Sequence, residues 1–184
     1  MNRGKSIRYI AAAAGVLLLA FLVVLAMAKP GDSESASSPL LGQAAPVVKS
    51  TTIGGGDFDL ARRKGSWVVL NFFNSTCVPC RQEHPFLVDF AKEQESSDNA
   101  VELYTVVNDD SDGPVQAFFD TNGGDWPAIR DDDGAISVAF GVAKVPESWV
   151  IDPNGFVRLR IMGALTKGFL TSRLDELKTQ FAGG

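Results

Sequence analysis

Hydrophobic and polar residues are arranged along this chain in several distinct patterns, and each predicts its own kind of element. From Tyr9 to Ala28 there is no charged and no strongly polar side chain. Twenty residues of helix span about 30 Å, the thickness of a bilayer's hydrocarbon core, so this run predicts one transmembrane helix. Trp67–Phe73 and Val101–Val107 are short, nearly continuous apolar runs, the signature of strands buried on both faces. From Arg81 to Ser96 the apolar positions Phe86, Leu87, Phe90 and Ala91 share a helical stripe, and Pro85 predicts a kink. Pro114 suits the first turn of a helix running to about Thr121, and Ala135–Phe140 a short helical piece. A last amphipathic helix is expected from Thr166 to Phe181, with Phe169, Leu170, Leu174 and Leu177 inward. Ser148–Ile151 and Phe156–Ile161 flank Asp152-Pro153-Asn154-Gly155, whose Asn-Gly is a hairpin signal. Val47–Thr52 and Asp57–Leu60 read as short strands around Gly54–Gly56. The predicted order is β-β-β-α-β-α-(α)-β-β-α.

Composition divides the chain along the same lines. Lys29–Leu41 (KPGDSESASSPLL) is rich in Ser, Pro and Gly and reads as a flexible linker. Residues 1–29 carry four Lys/Arg and no acid, which leaves 17 − 4 = 13 basic against 22 acidic residues in the remainder, a net charge of −9. An acidic surface of this kind argues against nucleic acid or anionic lipid as a partner of the main domain. The basic residues Arg3, Lys5 and Arg8 ahead of the apolar run predict a cytoplasmic N-terminus and an exported remainder. Ala26-Met27-Ala28 has the form of a signal-peptidase site, but the apolar run exceeds the roughly 7–15 residues of a signal peptide. The reading is therefore 1–8 cytoplasmic, 9–28 an anchor (or a signal peptide cleaved at Ala28), 29–41 linker and 42–184 a folded domain.

Cys77 and Cys80 are the only cysteines, and they stand at a predicted strand-to-helix turn. A C-x-x-C pair so placed points to thiol–disulfide chemistry, because a helix start brings the two sulfurs together and its free N–H groups favour a thiolate. Zinc needs about four ligands, and the chain offers one histidine beyond the pair. A disulfide closing so short a loop removes little chain entropy and makes a poor staple. His84 lies four residues after Cys80, so a copper site of Cys77, Cys80 and His84 is the rival outside redox chemistry. Asn108, Asp110, Asp112 and Gly113 echo a calcium loop, but Phe119 stands where the ligating Glu is needed. No metal and no cofactor other than the cysteine pair is expected.

The motifs Gly42-x-x-Ala45-Pro46, Val69-Leu70-Asn71-Phe72, Cys77-x-Pro79-Cys80, Glu83-x-Pro85, Val145-Pro146-Glu147 and Ile151-Asp152-x-x-Gly155 resemble those of the TlpA/ResA-like thiol–disulfide oxidoreductases. They span Gly42 to the C-terminus. The resemblance implies an α/β, thioredoxin-like fold: a central mixed sheet flanked by helices, with an N-terminal β extension behind one transmembrane helix. It implies Cys77 as attacking thiol, Cys80 as resolving thiol and Glu83 as an acid that modulates their proton traffic. If Glu83 is buried, desolvation should raise its pKa. Pro146 corresponds to the cis-proline loop, and Val145, Pro146, Glu147 and Thr76 are expected to line the substrate groove. Thr76 departs from the aromatic residue the family usually carries there. Trp126 is expected either to cover part of the site or to pack in the core. The implied partners are cysteine-containing proteins outside the membrane, apocytochrome c among the candidates, and a membrane electron donor. An oxidant or isomerase role remains the alternative within the class.

Overall fold

The computed structural model describes residues 9–10, 13–21, 23, 34–97 and 99–181. The chain divides into two units, Met1–Gly31 and Asp32–Gly184. Within the first, the described residues of the expected membrane crossing are helical and exposed. Among the described residues no helix is long and apolar enough to cross a membrane. The rest of 9–28, the cytoplasmic segment 1–8, and the expected cleavage point at Ala28 lie outside the described residues.

The second unit is built on a six-stranded mixed sheet. Its elements in chain order are β1 (Glu34–Ser35), β2 (Lys49–Thr51), β3 (Asp57–Asp59), a 3-10 turn (Leu60–Arg63), β4 (Trp67–Phe73), α1 (Val78–Glu95), β5 (Val101–Val107) and α2 (Asp112–Asn122). They continue with β6 (Ala128–Arg130), α3 (Ala135–Phe140), β7 (Glu147–Ile151), β8 (Val157–Met162) and α4 (Phe169–Phe181). The strand order is β1-β8-β7-β4-β5-β6, and β2 and β3 form a separate two-stranded ribbon. β4 lies in the middle, parallel to β5 and antiparallel to β7, and all seven of its residues are buried. That central place is why its sequence is continuously apolar rather than alternating.

Alternation along β4 sorts its side chains onto two faces. Val68, Leu70 and Phe72 join Trp149, Ile151, Ile136 and Phe140 in one cluster, together with Phe58 of the β2–β3 ribbon and Val48 and Leu60 that flank it. Trp67 and Val69 face the other way, against Leu87 and Phe90 of α1 and Leu170 and Leu174 of α4. Asn71 shares this second face by the same period of two. At the C-terminal end of β4, Phe73 packs with Cys80, Val107, Val115 and Phe118 in a third cluster.

Two strands extend the predicted order. Residues 34–41, expected to belong to a flexible linker, are partly ordered on the sheet edge. Glu34 and Ser35 pair with Met162 and Ile161 of β8, the Ala36 N–H donates to the Arg160 carbonyl, and the Leu41 N–H to that of Ser38. β6 extends the sheet beyond β5, where the predicted order has no strand. The β7–β8 hairpin forms as expected. The Asp152 carboxylate accepts the Asn154 and Phe156 N–H groups, and Gly155 takes the positive φ of 88° that the turn requires. α4 begins at Phe169 rather than Thr166, and α1 continues through Pro85.

Candidate active site

The redox turn sits where β4 gives way to α1. Cys77 is the N-cap of α1, its Sγ accepting the Cys80 N–H at 3.2 Å, and it is joined to Cys80 in a disulfide with the two Cα atoms 5.3 Å apart. Pro79 occupies the first turn, where its missing N–H has no intrahelical partner to lose. The two sulfurs differ in access: Cys77 is partly exposed, while Cys80 is fully buried behind Phe73 and Val107. Thr76 and Val78 are exposed beside Cys77 and form the rim.

Opposite this turn stands the Val145–Pro146 segment. Its peptide bond is cis, and the Val145 carbonyl oxygen lies 3.7 Å from the Cys77 Sγ. The Thr76 hydroxyl is turned inward along the chain and donates to Asn74 Oδ1 at 2.6 Å. Glu147 does not line the groove. The strand period turns it to the opposite face from Asn71 and Ser148, opposite Phe72 in register. There it is 1% exposed, accepts the Trp149 indole N–H, and is clamped by two Arg160 nitrogens at 2.9 and 3.0 Å. With its carboxylate sealed under the sheet it is unavailable to a substrate.

Glu83 is on the redox side. It is fully buried; one carboxyl oxygen accepts the Asn71 amide at 2.7 Å and the other accepts the Leu165 N–H at 2.7 Å. Asn71 donates in turn to Ser148 Oγ at 3.1 Å, its direct partner across the β4–β7 ladder. Burial pushes the Glu83 pKa up to about 7, against the opposing effect of the Leu165 and Asn71 donors. The direction is the one expected of a carboxyl removed from water. A proton acceptor and donor poised near neutrality, one turn beyond Cys80, suits a thiol that must lose and regain a proton.

His84 is buried on α1. Its ring is packed among Phe118, Phe119 and Trp126, and Nε2 donates to the Gly123 carbonyl at 2.7 Å. Burial lowers its pKa. Trp126 takes the packing role: its indole N–H donates to Thr105 Oγ1, and its ring meets Phe119 edge-on. Asn74 was not singled out by sequence reasoning, and Asp110 entered it only as part of the rejected calcium loop. Asn74 makes an Asx turn, Oδ1 accepting the Thr76 N–H at 2.9 Å, which an Asn three residues before a helix cap can signal. Asp110 accepts the Ser75 N–H at 2.6 Å, a contact over 35 residues that no local pattern announces.

Comparison with known proteins agrees with this geometry. The AhpC/TSA family matches residues 41–160. The thiol:disulfide interchange protein HelX of Rhodobacter capsulatus is 31% identical over 174 residues, covering 86% of this chain and 94% of that protein. A thiol–disulfide oxidoreductase ResA of Bacillus thuringiensis is 30% identical over 137 residues, covering 74% of this chain and 78% of that one. Among solved structures, MTB dsbF superposes with a TM-score of 0.65 at 26% identity, over 71% of this chain and 94% of that chain. The chain belongs to the AhpC/TSA family and, within it, is a thiol–disulfide oxidoreductase of the TlpA/ResA-like kind.

Proposed function

We propose that this oxidoreductase works on the outer side of the cytoplasmic membrane, anchored by its N-terminal stretch, and reduces disulfides in other proteins. In the dithiol state the Cys77 thiolate attacks one sulfur of a substrate disulfide. That S–S bond breaks, the departing substrate sulfur takes a proton, and Cys77 is left in a mixed disulfide. The Cys80 thiol then gives up its proton, to Glu83 in this reading, and its thiolate attacks Cys77 Sγ. The second substrate sulfur leaves and is protonated; the substrate has gained two electrons and the chain holds the Cys77–Cys80 disulfide. A dithiol donor at the membrane must then restore the pair. Val145 and Pro146 offer backbone to an extended substrate segment, and Thr76 supplies the rim. Apocytochrome c, whose cysteines must be reduced before haem attachment, is the substrate that resemblance to the family favours.

The observation that supports this reading best is the asymmetry of the pair: a partly exposed Cys77 capping the helix and a wholly buried Cys80 behind it. The test is a Cys80→Ala substrate trap in the full-length chain. Mixed disulfides through Cys77 should accumulate with exported cysteine proteins, and recovery of none would overturn the reading. Equilibration of the wild-type chain with glutathione gives the direction: a potential near that of thioredoxin, about −270 mV, supports a reductant, and one near about −120 mV makes the chain an oxidant.

A further inference from the structure

We propose that Asp110 is a positioning residue of the redox site: it ties the Asn74–Cys77 turn to the β5–α2 loop and sets a negative charge at the turn, two residues before Cys77, that disposes the pair to give up electrons. The inference rests on Cys77 being the attacking thiol.

That loop makes three hydrogen bonds to Asn74 and Ser75 of the turn before Cys77. The Asn74 amide donates to the carbonyls of Asn108 and Asp109, at 3.1 and 2.7 Å. Its carbonyl oxygen receives the Cys77 N–H at 3.1 Å. The Asp110 carboxylate accepts the Ser75 N–H at 2.6 Å through one oxygen and the Ser111 N–H at 2.8 Å through the other. The loop is fixed in its turn: the Asn108 N–H donates to the Phe73 carbonyl, and the Asn108 amide to Ser137 Oγ, which donates to the buried Asp131. Asp109 is the one non-glycine residue with positive φ among those described, at 48°. The strain therefore falls on the residue whose carbonyl receives Asn74, as expected where a loop is shaped for a task.

Charge decides what the anchor does. A carboxylate near a thiol disfavours the thiolate, opposing the helix N-terminus, which favours it. A less stable thiolate makes the dithiol form the worse resting state, so the pair reduces its partners more readily. The other charges around the turn are few. Arg81 of α1 donates to the Ser75 carbonyl at 3.0 Å and lies over the Phe118 ring. Asp112 of α2 is paired with Arg130. Asp109 is exposed on the loop itself, and Lys144 is exposed just before Val145. Glu83 and His84 are buried deeper along α1.

The substitution Asp110→Asn separates charge from anchorage, since the amide oxygen can still accept the Ser75 N–H. In the reduced full-length chain, iodoacetamide labelling is followed against pH, the labelled cysteine being identified by peptide mass. The variant should reach half-maximal labelling of Cys77 at lower pH and react roughly twofold faster at pH 6, the larger thiolate fraction outweighing its weaker nucleophilicity. Its equilibrium with glutathione at pH 8 should shift about threefold toward the dithiol, about 15 mV less reducing at about 30 mV per tenfold. Both differences should shrink in 1 M KCl, where the Debye length falls to about 3 Å. Asp110→Ala should show the same electrostatic change and, with the Ser75 N–H unpartnered, a less stable fold. An unchanged or upward-moved profile in Asp110→Asn, or a shift that salt leaves untouched, overturns the inference. Labelling of Cys80 ahead of Cys77 overturns instead the assignment of the attacking thiol.

Discussion

Replacing Glu83 by glutamine measures what a buried carboxyl costs this fold. Glu83 is fully buried, and burial moves its pKa from the usual 4.5 to about 7. Between those values the unfolded chain has released a proton that the folded chain retains. Folded stability therefore falls as pH rises from about 4.5 to about 7, and stays at the lower value above that window. At about 1.36 kcal/mol per pH unit the whole interval amounts to roughly 3 kcal/mol. Glutamine does not ionise and escapes this cost. Its carboxamide can accept the Leu165 N–H and, if the Asn71 amide turns over, donate to Asn71 Oδ1, which is buried without a partner in the wild-type chain.

Glu83→Gln should match the wild type at pH 4.5 and exceed it by roughly 2–3 kcal/mol at pH 8. His84 contributes the opposite slope: its pKa is lowered by burial, so the unfolded chain binds the proton first and stability drops as pH falls through the ordinary imidazole range, near 6.5. That slope is common to both proteins and cancels in their difference. The assay is urea denaturation of the two oxidised full-length chains at intervals from pH 4.5 to 8. A difference between them that is constant across this range would refute the reasoning, because it would mean that Glu83 titrates alike in the folded and unfolded chains.

Removing one partner of the buried Glu147–Arg160 pair should be among the most damaging surface-to-core changes. Arg160→Met strands a carboxylate that is 1% exposed and should cost about 3–5 kcal/mol in urea denaturation, much of it recovered in the double variant with Glu147→Leu. Leu174→Ala, at a core position 1% exposed on α4, should cost about 2–5 kcal/mol yet leave the glutathione equilibrium unchanged. Asn71→Leu removes a donor that holds the Glu83 pKa down, so the pH window over which stability falls should extend above that of the wild type, as read by the same denaturation series.

The elements legible in the sequence are those whose signal is local and repeated. β4 and β5 declare themselves by largely apolar runs because each is flanked by strands on both sides. The β7–β8 hairpin is announced by Asn154-Gly155, and α1 by a stripe that indeed packs through Leu87 and Phe90. What escaped has its cause elsewhere in the chain. Glu34–Ser35 lies in a polar, linker-like segment, and only the free edge of β8 makes it a strand. β6 is three residues long, too short for a period to show. Glu147 is one residue from Pro146, and that single step decides which face of the sheet it enters. The burial of Glu83 was legible in kind, but its ties to Asn71 and Leu165 depend on strand register and on a loop 82 residues away.

Glu83 and Asp110 stand in contrasting surroundings, one fully buried and one partly exposed. Glu83, three residues after Cys80 on α1, is fully buried, and burial raises its pKa to about 7. Asp110 is partly exposed at the turn that leads into Cys77, hydrogen-bonded by two backbone N–H groups. In the proposed mechanism the two acids serve different thiols: Glu83 takes the resolving thiol's proton, and Asp110 bears on how readily the attacking thiol becomes a thiolate. Changes at the two positions should then act on different steps, Asp110→Asn on formation of the mixed disulfide and Glu83→Gln on its resolution. Rapid-quench measurement of the mixed disulfide distinguishes them. It should form faster in the first variant below neutral pH and persist longer in the second, and a change confined to the same step in both would mean that the acids act as one electrostatic field on the pair.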